Sequence, residues 1–511
     1  MKKQSNILKR LFSLLIFLLF LLFTGCSINI NLDPSIDDPN PSMDDPTEVE
    51  DLGETEFTLY SINDFHGCIF ENGDQAGISK IGEYLIDAKE NDPDHTLIIS
   101  AGDMFQGTAV SSMTRGKAVV EVMNYIGFDA MTIGNHEWDW GIDEVLKYQD
   151  KDYTNGEANF PFLIANITDS SGKLPSWAVP YTIIEKGGYK FGVIGIIGSD
   201  QKKDILASYT EGFTFTDELT AIKKYTKVLR EEKGADFVIL SCHCDTTSFN
   251  TALASLTGSY KVDVILNGHT HQSYYGIIEN STRNCGVPYV QSGSYGKYVG
   301  KITLRVNNAS KEIIFSDSVS LQAKFNCKVE NSQINAIIDG FSQEIAVASE
   351  EVGVSALTLY QSEGGAYCAN VLRFFDDGDL GVCNSGGIRG NAFPINSGDT
   401  ITYGDVFEMM PFENKVVLVS IKGIDLLKII EYSGLFFSDN VDTKKKTING
   451  EAIDSNRYYR VATIDYLFEK TSYPFKTGRD IVISSTLFRD AIFNAMKENV
   501  KKNGKFYWNR W

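Results

Sequence analysis

Five short polar clusters, each placed after a hydrophobic run, constrain the fold of this chain more than any other feature of its sequence. The first is Asn63-Asp64-Phe65-His66-Gly67, which follows the alternating run 57–62. The others are Gly102-Asp103, Gly134-Asn135-His136-Glu137-Trp138-Asp139, Cys242-His243 and Gly268-His269-Thr270-His271. Five of the six histidines lie in these clusters. This concentration of imidazoles and carboxylates indicates one functional site.

Strand-like and helix-like runs alternate across residues 56–328, and this alternation predicts an α/β domain. The predicted strands are 57–62, 96–100, 130–133, 162–166, 191–197, 237–242 and 262–266, with further β structure at 287–291 and 301–306. The predicted helices are 78–89, 117–126 and 217–233. Because an α/β sheet presents its functional side chains where its strands end, the five clusters are expected to meet at one edge.

A second, smaller α/β domain is predicted for residues 351–511. It begins after residues 329–350, where apolar side chains recur at helical spacing and predict a linker helix. The alternative is an ordinary amphipathic helix that packs into one domain. Within the second half, the run 380–384 leads into a glycine turn, and 415–421 and 458–464 have the character of strands.

The first 26 residues are expected to be a signal peptide. Four basic residues precede the apolar run 11–23, which is too short to span a membrane comfortably. Thr24-Gly25-Cys26 resembles a bacterial lipobox, which implies a lipid anchor at Cys26; an uncleaved signal anchor is the alternative. Residues 27–55, acidic and proline-rich, are expected to be a disordered tether. Either alternative places the folded body outside the cytoplasmic membrane, on its extracellular face or at the cell surface.

The acidic composition argues against a nucleic-acid partner. The net charge of −20 over 511 residues would repel a phosphate backbone. A small anion could still bind where metal ions or a few arginines dominate locally. The cysteines show no disulfide spacing, and Cys242 and Cys244 are expected to face away from His243 along a strand and to pack in the core.

The clusters offer enough ligands for two metal ions. Seven of their side chains are candidate ligands, with two carboxylates, one amide and four imidazoles: Asp64, His66, Asp103, Asn135, His243, His269 and His271. Nitrogen and oxygen ligands without thiolate suit Zn²⁺, Mn²⁺ or Fe better than Mg²⁺. Two ions that share a carboxylate polarise a phosphoryl oxygen and generate hydroxide at neutral pH.

Taken together, these motifs resemble those of the calcineurin-like metallophosphoesterases. Asn-Asp-Phe-His-Gly, Gly-Asp-Met-Phe-Gln-Gly and Gly-Asn-His-Glu-Trp-Asp are similar to the 5′-nucleotidase branch. So are Asn384-Ser-Gly-Gly-Ile-Arg389 and Thr402-Tyr-Gly-Asp. The resemblance covers nearly all of the chain from residue 56. It implies an N-terminal four-layer αββα sandwich, a linker helix and a C-terminal substrate-binding domain.

The resemblance also implies a role for each matching residue. Asp64, His66 and His271 match ligands of a first ion, Asn135, His243 and His269 match ligands of a second, and Asp103 matches a carboxylate that bridges them. His136 matches the residue that faces the substrate phosphate, with Asp139 as its partner. Asn384 and Arg389 match nucleotide contacts, and Phe412 and Tyr466 match two aromatics that stack on the base. Each aromatic could instead be a packing residue.

We therefore expect an extracellular hydrolase that releases phosphate from nucleoside 5′-monophosphates and other nucleotides, by direct attack of metal-bound hydroxide. A UDP-sugar diphosphatase or a 2′,3′-cyclic-nucleotide phosphodiesterase on the same centre is the alternative. An alternative of a different class is a non-catalytic surface lipoprotein that binds nucleotides. The expected partners are a nucleotide and, through the lipid at Cys26, a membrane.

Two departures from the family pattern concern the substrate pocket. The glycine turn that usually follows Leu467, and whose Asp holds the ribose, is missing, and the segment offers Glu469 and Ser472 instead. An arginine that usually precedes the helix near Gly365 is also missing. The first departure predicts weak discrimination between ribose and deoxyribose, unless another residue such as Glu469 has taken over the contact.

Overall fold

The computed structural model describes residues 53–244, 247–280 and 285–511. The predicted signal peptide 1–26, its lipidation site Cys26 and most of the predicted tether 27–55 lie outside the described residues. Strand pairing already begins at Glu54, opposite Asn307, so the last two residues of the predicted tether belong to the folded body. In the part of the chain that the structure describes, no helix has both the length and the apolar character needed to cross a membrane.

The first half of the described chain (53–330) alternates strands and helices as its sequence predicts. Its strands are β1 (Glu54–Ile62), β2 (Thr96–Ser100), β3 (Ala130–Thr132), β4 (Phe162–Leu163), β5 (Ile167–Thr168), β6 (Tyr181–Lys186), β7 (Tyr189–Ile197), β8 (Thr214–Phe215), β9 (Phe237–His243), β10 (Val264–Asn267), β11 (Ser273–Ile278), β12 (Val287–Ser292), β13 (Tyr298–Asn307) and β14 (Glu312–Gln322). Its helices are α1 (Ile78–Asn91), α2 (Ala109–Met113), α3 (Lys117–Ile126), α4 (Ile142–Leu146), α5 (Glu218–Lys227), α6 (Thr247–Ala254) and α7 (Ala323–Asn326).

Two six-stranded sheets dominate the described part of this half, in the orders β14–β13–β1–β2–β3–β4 and β11–β12–β10–β9–β7–β6. Strands β1 to β4 run parallel in the first sheet. Strands β7, β9, β10 and β12 run parallel in the second. The carboxyl ends of these strands carry all five polar clusters, as an α/β sheet requires.

Three apolar clusters hold the two sheets and their helices together, one between the sheets and one on the outer face of each sheet. Phe57 and Leu97 of the first sheet pack against Phe191 and Val264 of the second. Helices α1 and α3 cover the outer face of the first sheet, and α5 and α6 cover that of the second. The predicted four-layer αββα sandwich is therefore confirmed. Cys242 and Cys244 pack in the outer layer of the second sheet, away from His243, as expected.

Helix α5 begins as predicted but changes its geometry before its predicted end. The carboxylate of Asp217 accepts a hydrogen bond from the backbone N–H of Thr220 at 2.8 Å and caps the helix. After Lys227 the chain continues as one turn of π-helix, Val228–Glu232.

The predicted linker helix 329–350 is divided into two helices, α8 (Ser332–Asp339) and α9 (Ser342–Ala348). Gly340 N–H still bonds to Ala336 O, four residues back, whereas Phe341 N–H bonds to Ile338 O, three residues back, where α8 has ended. Ile334 and Ile338 are buried in the core of the first half, so α8 packs there as an amphipathic helix. Helix α9 lies against α2 of the first half and also contacts the second half, to which it leads.

The second half (351–511) has a smaller sheet of its own. Its strands are β15 (Glu351–Val354), β16 (Leu380–Asn384), β17 (Thr400–Thr402), β18 (Lys415–Lys422), β19 (Leu435–Phe437), β20 (Val441–Asp442), β21 (Thr447–Ile448), β22 (Glu451–Ala452), β23 (Tyr458–Ile464) and β24 (Arg479–Leu487). Its helices are α10 (Gln361–Phe375), α11 (Tyr403–Met409), α12 (Gly423–Ile430), α13 (Asp465–Glu469) and α14 (Phe488–Asn503). The central sheet has the order β19–β16–β23–β18–β24, and α10 and α14 pack on it.

Candidate active site

The loops that follow β1 and β2 are held together by backbone hydrogen bonds. The N–H of Asp64 donates to Gly102 O at 2.9 Å, and the N–H of His66 donates to Asp103 O at 3.1 Å. These bonds continue the parallel pairing of the two strands beyond their ends. They bring the first and second polar clusters to one place.

Several residues of these clusters adopt a left-handed backbone that side chains rarely tolerate. Five of them have φ between 49° and 86°: Asp64, His66, Asp103, His269 and His271. Such conformations away from glycine are uncommon and concentrate at functional sites, where the surrounding structure imposes them. The loops are therefore shaped to aim these side chains inward.

Two of these clusters begin with glycine, because the backbone there passes too close to a site residue for any side chain. A Cβ on Gly134 would lie 2.3 Å from Asp103 Oδ1. Gly102 has φ of 95°, and a Cβ there would lie 2.7 Å from His243 Nδ1. The Gly-Asp and Gly-Asn spacing of the sequence thus reflects close approach of the backbone to ionisable groups.

Two groups of side chains could each hold a metal ion. In each group the potential ligand atoms lie within 4.8 Å of one another. The first group is Asp64, His66 and His271, and the second is Asp103, His243 and His269. The side chain of Asn135 joins the second group, since its Oδ1 lies 3.0 Å from His269 Nδ1.

The imidazoles of the first group face each other through their Nε2 atoms. Nδ1 of His66 lies 2.9 Å from the carbonyl of Gln106, which can only accept, so Nδ1 carries the proton. Its Nε2 therefore keeps a lone pair, 3.0 Å from His271 Nε2. Asn63 donates to Asp64 Oδ2 at 2.6 Å and fixes that carboxylate. Converging nitrogens with oriented partners are what a metal site requires.

The second group contains a buried nitrogen without a hydrogen bond. His243 Nδ1 donates to Ala101 O at 2.7 Å. Burial lowers the pKa of His243, but the charge of Asp103 outweighs it and raises the pKa to about 10, so a metal ion at Nε2 would have to displace a proton. That Nε2 lies 3.0 Å from Asp103 Oδ2, yet no hydrogen bond of acceptable geometry satisfies it. A nitrogen and a carboxylate oxygen that face each other in this way are arranged as two ligands of a common cation. The residues present therefore fit divalent metal ions.

The pKa values of three other candidate ligands agree with that fit. Burial, followed by the positive charge of Arg389, lowers the pKa of His271 to about 3. Burial, followed by the charge of His243, lowers the pKa of His269 to about 4. Both imidazoles are thus neutral and able to bind metal at neutral pH. Burial raises the pKa of Asp64 to about 7, a penalty on the carboxylate that a bound cation would offset.

Glu137 is a site residue to which the sequence assigned no role. It is fully buried, and its Oε2 accepts hydrogen bonds from the N–H groups of Asp103 at 2.9 Å and Gly134 at 2.8 Å. Its Oε1 accepts from Met104 N–H at 2.8 Å. Glu137 therefore joins the loops after β2 and β3. The signal available in the sequence was an acidic residue that directly follows the predicted site residues Asn135 and His136.

His136 lies between a carboxylate of its own loop and an arginine of the second half. Its Nδ1 donates to Asp139 Oδ2, 2.7 Å away. Its Nε2 accepts from Arg389 Nη2 at 3.1 Å, because guanidinium can only donate. Burial alone lowers the pKa of His136, but the charges of Asp139 and Asp103 outweigh it and raise the pKa. Arg389 also lies over the ring of Phe412, 5.4 Å from its centroid.

One cavity of about 370 Å³ brings the predicted residues of both halves together. Its lining includes Asp103, Asn135, His136, Asp139, His269, His271, Asn384, Arg389, Phe412 and Tyr466. Asp64, His66 and His243 lie behind this surface and are buried. Every predicted metal, catalytic and substrate residue is thus in or next to the cavity, and only Cys26 lies outside the described residues.

Direct contacts close the halves around this cavity. Arg115 of the first half pairs with Glu413 of the second at 2.8 Å. The backbone N–H of Ser208 donates to Glu469 Oε2 at 3.2 Å. These contacts and the His136–Arg389 hydrogen bond join the two halves next to the cavity.

Comparisons with known proteins match both halves. Residues 57–273 match the calcineurin-like phosphoesterase family, and residues 340–477 match the 5′-nucleotidase C-terminal domain. The chain is 30% identical to endonuclease YhcR of Bacillus subtilis over 407 residues, which are 73% of this chain but 32% of that protein. It is 26% identical to protein UshA of Yersinia enterocolitica over 489 residues, 80% of this chain and 85% of that one. The chain thus spans about a third of the first relative's length and most of the second's.

The fold is also that of a solved structure. The 5′-nucleotidase precursor of Thermus thermophilus superposes with a TM-score of 0.73 at 21% identity, covering 87% of this chain and 96% of that one. An identity this low supports the fold alone. The two family matches, in the same order along the chain, show that the protein is a metal-dependent phosphoester hydrolase with a calcineurin-like phosphoesterase domain and a 5′-nucleotidase C-terminal domain.

Proposed function

We propose that the protein releases phosphate from nucleoside 5′-monophosphates by means of two divalent metal ions. A single observation carries this proposal: the cavity that reaches one ligand group at His271 and the other at Asp103 and His269 is completed by residues of the second half. These are Arg389, Phe412 and Tyr466. A nucleotide that binds there can place its phosphate at the ligand groups and its base between the aromatics. Neither half alone offers both.

The two ligand groups divide the proposed metal binding between them. Asp64, His66 and His271 would hold one ion, and Asn135, His243 and His269 the other. Asp103 is proposed to bridge the two. In addition to burial, which is the largest influence on each pKa, the charge of Asp103 acts to raise the pKa of Asp64 in one group and of His269 in the other. When bound, such ions withdraw electron density from a phosphoryl oxygen and make water acidic enough to attack at neutral pH.

His136 and Arg389 are proposed to hold the phosphate. Arg389 can donate to two phosphate oxygens at once, a geometry that guanidinium favours. His136 can donate to the oxygen on which negative charge develops, and Asp139 keeps the imidazole oriented for that contact. A phosphate bound here would replace their mutual hydrogen bond.

A second candidate function is hydrolysis of a diphosphate such as a UDP-sugar. A further cavity of about 410 Å³ shares His271 and Arg389 with the first and is also lined by Lys297 and Gln361. A nucleoside monophosphate has no group to place there, whereas the sugar beyond a second phosphate could occupy it. The same ligand groups would serve both reactions.

The location of the protein is proposed from its N-terminal sequence alone. The basic segment, the apolar run and Thr24-Gly25-Cys26 favour a lipid-anchored protein on the extracellular face of a bacterial membrane. An anchor of this kind would expose the cavity to external nucleotides.

Phosphate release from a panel of nucleotides tests the proposed function. Prolonged dialysis against a chelator should abolish phosphate release from AMP, because it removes the metal ions that would activate the attacking water. Addition of Mn²⁺ or Zn²⁺ should restore it. UDP-glucose and 2′,3′-cyclic AMP, measured beside AMP, rank the alternatives by kcat/KM.

Two outcomes would contradict the proposal. Full activity in excess chelator would exclude a metal-dependent centre. Tight nucleotide binding without any phosphate release, in the presence of either metal, would favour a non-catalytic nucleotide-binding protein.

Loss of one aromatic should weaken nucleotide binding selectively. Tyr466→Leu should raise KM for AMP by about 5- to 150-fold, the range that corresponds to roughly 1–3 kcal/mol of stacking. KM for ribose 5-phosphate, which has no base, should change less. Tyr458→Leu is the matched control, because Tyr458 lies at the start of β23, whereas Tyr466 follows the end of that strand. Equal effects on both substrates would show that Tyr466 is a packing residue.

A further inference from the structure

A segment of the first half that carries none of the metal-ligand loops also lines the nucleotide cavity. It runs from the end of the 3₁₀ turn Ser199–Asp204 through the turn Ala207–Thr210. Asp204, Leu206 and Tyr209 of this segment contribute to the cavity wall. No sequence pattern predicts any of them there, since the segment belongs to no motif.

Asp204 offers an unused carboxylate to the cavity. Among the described residues, no group donates a hydrogen bond to it and none forms an ion pair with it within 4 Å. Burial raises its pKa, and the charges of Lys203 and Lys470 act on it from farther away. Asp200, on the same turn, differs because it is exposed and pairs with Lys203 at 2.8 Å. A desolvated carboxylate without a partner on a cavity wall is suited to accept hydrogen bonds from a ligand.

Two neighbouring residues of the cavity wall, Tyr466 and His136, lie within electrostatic range of Asp204. After burial, its charge is the largest influence that raises the pKa of the Tyr466 phenol. The charge of His136 in turn reaches Asp204. Asp204 is therefore within electrostatic range of both the proposed base site and the proposed phosphate site. In a nucleotide, the ribose lies between these two groups.

Glu469, the candidate that the sequence suggested for the ribose contact, has a different role. Its Oε2 accepts the hydrogen bond from Ser208 N–H. Ser208 lies in the segment that carries Asp204, so Glu469 ties that segment to helix α13 and to the aromatic residue Tyr466. Glu469 is thus a positioning residue for the cavity wall.

We propose that Asp204 accepts hydrogen bonds from the ribose hydroxyls and makes the protein selective for ribonucleotides. This inference rests on the proposed nucleotide hydrolysis and names the sugar that the cavity prefers. It replaces the weak discrimination expected from the missing glycine turn. The carboxylate that the second half lacks is supplied by the first half.

The expected selectivity follows from what a deoxyribose would leave behind. Without the 2′-hydroxyl, one oxygen of a partly buried carboxylate stays unpaired in the complex, and water has little access to it. Sites that hydrogen-bond a substrate hydroxyl discriminate strongly against analogues that lack it. We expect adenosine to bind about 10- to 100-fold more tightly than 2′-deoxyadenosine.

Equilibrium binding of nucleosides to the full-length protein loaded with Mn²⁺ tests this inference. The probes are adenosine, 2′-deoxyadenosine and inosine, and the variants are Asp204→Ala and Asp200→Ala. Asp200→Ala removes the same charge from the same turn, outside the cavity. Asp204→Ala should bring the adenosine to 2′-deoxyadenosine affinity ratio close to one, whereas Asp200→Ala should keep the wild-type ratio. Thermal unfolding of each variant verifies the fold.

Three results would overturn the inference. One is a wild-type ratio already near one, or no detectable nucleoside binding. Another is a high ratio that survives in Asp204→Ala. The third is a change in the adenosine to inosine ratio instead, which would mean that the carboxylate contacts the base amino group. Nucleosides carry no phosphate, so these results are independent of turnover. Absence of phosphate release from AMP in the same preparation would count against the proposed function alone.

Discussion

Asp103→Asn is expected to lower kcat/KM for AMP by at least about 10³-fold, equivalent to about 4 kcal/mol. One carboxylate oxygen accepts from His136 N–H at 2.8 Å, and the other faces His243 Nε2 at 3.0 Å. An asparagine can keep the first contact with its carbonyl. Its amide then donates to His243 Nε2 and occupies the lone pair needed for a metal, so the variant should fold yet bind metal poorly.

The measurement pairs steady-state kinetics with metal content of the purified protein. Asp103→Asn should reduce the metal content by more than His271→Ala, which removes a ligand of one ion only. Asp129→Asn is the control, because that carboxylate accepts from Ile98 N–H and pairs with Lys89 at the opposite end of the sheet. A variant Asp103→Asn that retained two ions and normal turnover would disprove the bridging role.

His136→Ala is expected to lower kcat for AMP by about 10²- to 10⁴-fold while metal content stays unchanged. The side chain belongs to neither ligand group. Its nitrogens are used by Asp139 and Arg389, which suits a group that contacts the phosphate. Asp139→Asn should cause a smaller loss, since an amide can still accept from Nδ1 but carries no charge.

The sixth histidine provides the matched control for that experiment. His95 lies outside the site, 2.6 Å from Asp92 through its Nδ1 and against the ring of Phe57. His95→Ala should leave kcat and metal content as they are. If His136→Ala lost metal in proportion to activity, His136 would be a ligand, and the proposed role of His136 at the phosphate would be wrong.

The predictable part of the fold comes from strong local patterns. Strand β2, helix α3 and strand β23 have the bounds that their hydrophobic periodicity predicts, because each is a continuous apolar or amphipathic run. The ligand loops were predictable for a related reason. In each, a strand end, a glycine and a candidate metal ligand lie within a few neighbouring residues, so the ligand can be recognised from a short segment of sequence.

The remaining features depend on groups that are distant in sequence. Glu137 is recognisable as a structural carboxylate only once the backbone N–H groups that surround it are in place. Helix α8 packs in the first half because its Ile334 and Ile338 meet core residues that are distant in sequence. Asp204 follows no hydrophobic run and matches no motif. Its place on the cavity wall is set by how the two halves meet.

The left-handed backbone at five site residues makes catalysis costly for the stability of this fold. Each such conformation disfavours the folded state by about 1–3 kcal/mol relative to a relaxed residue. Glycine adopts the same φ without that penalty. Glycine at Asp64, His66 or His271 would remove that penalty only together with a candidate metal ligand, so the backbone strain and the ligand set cannot be separated at these positions.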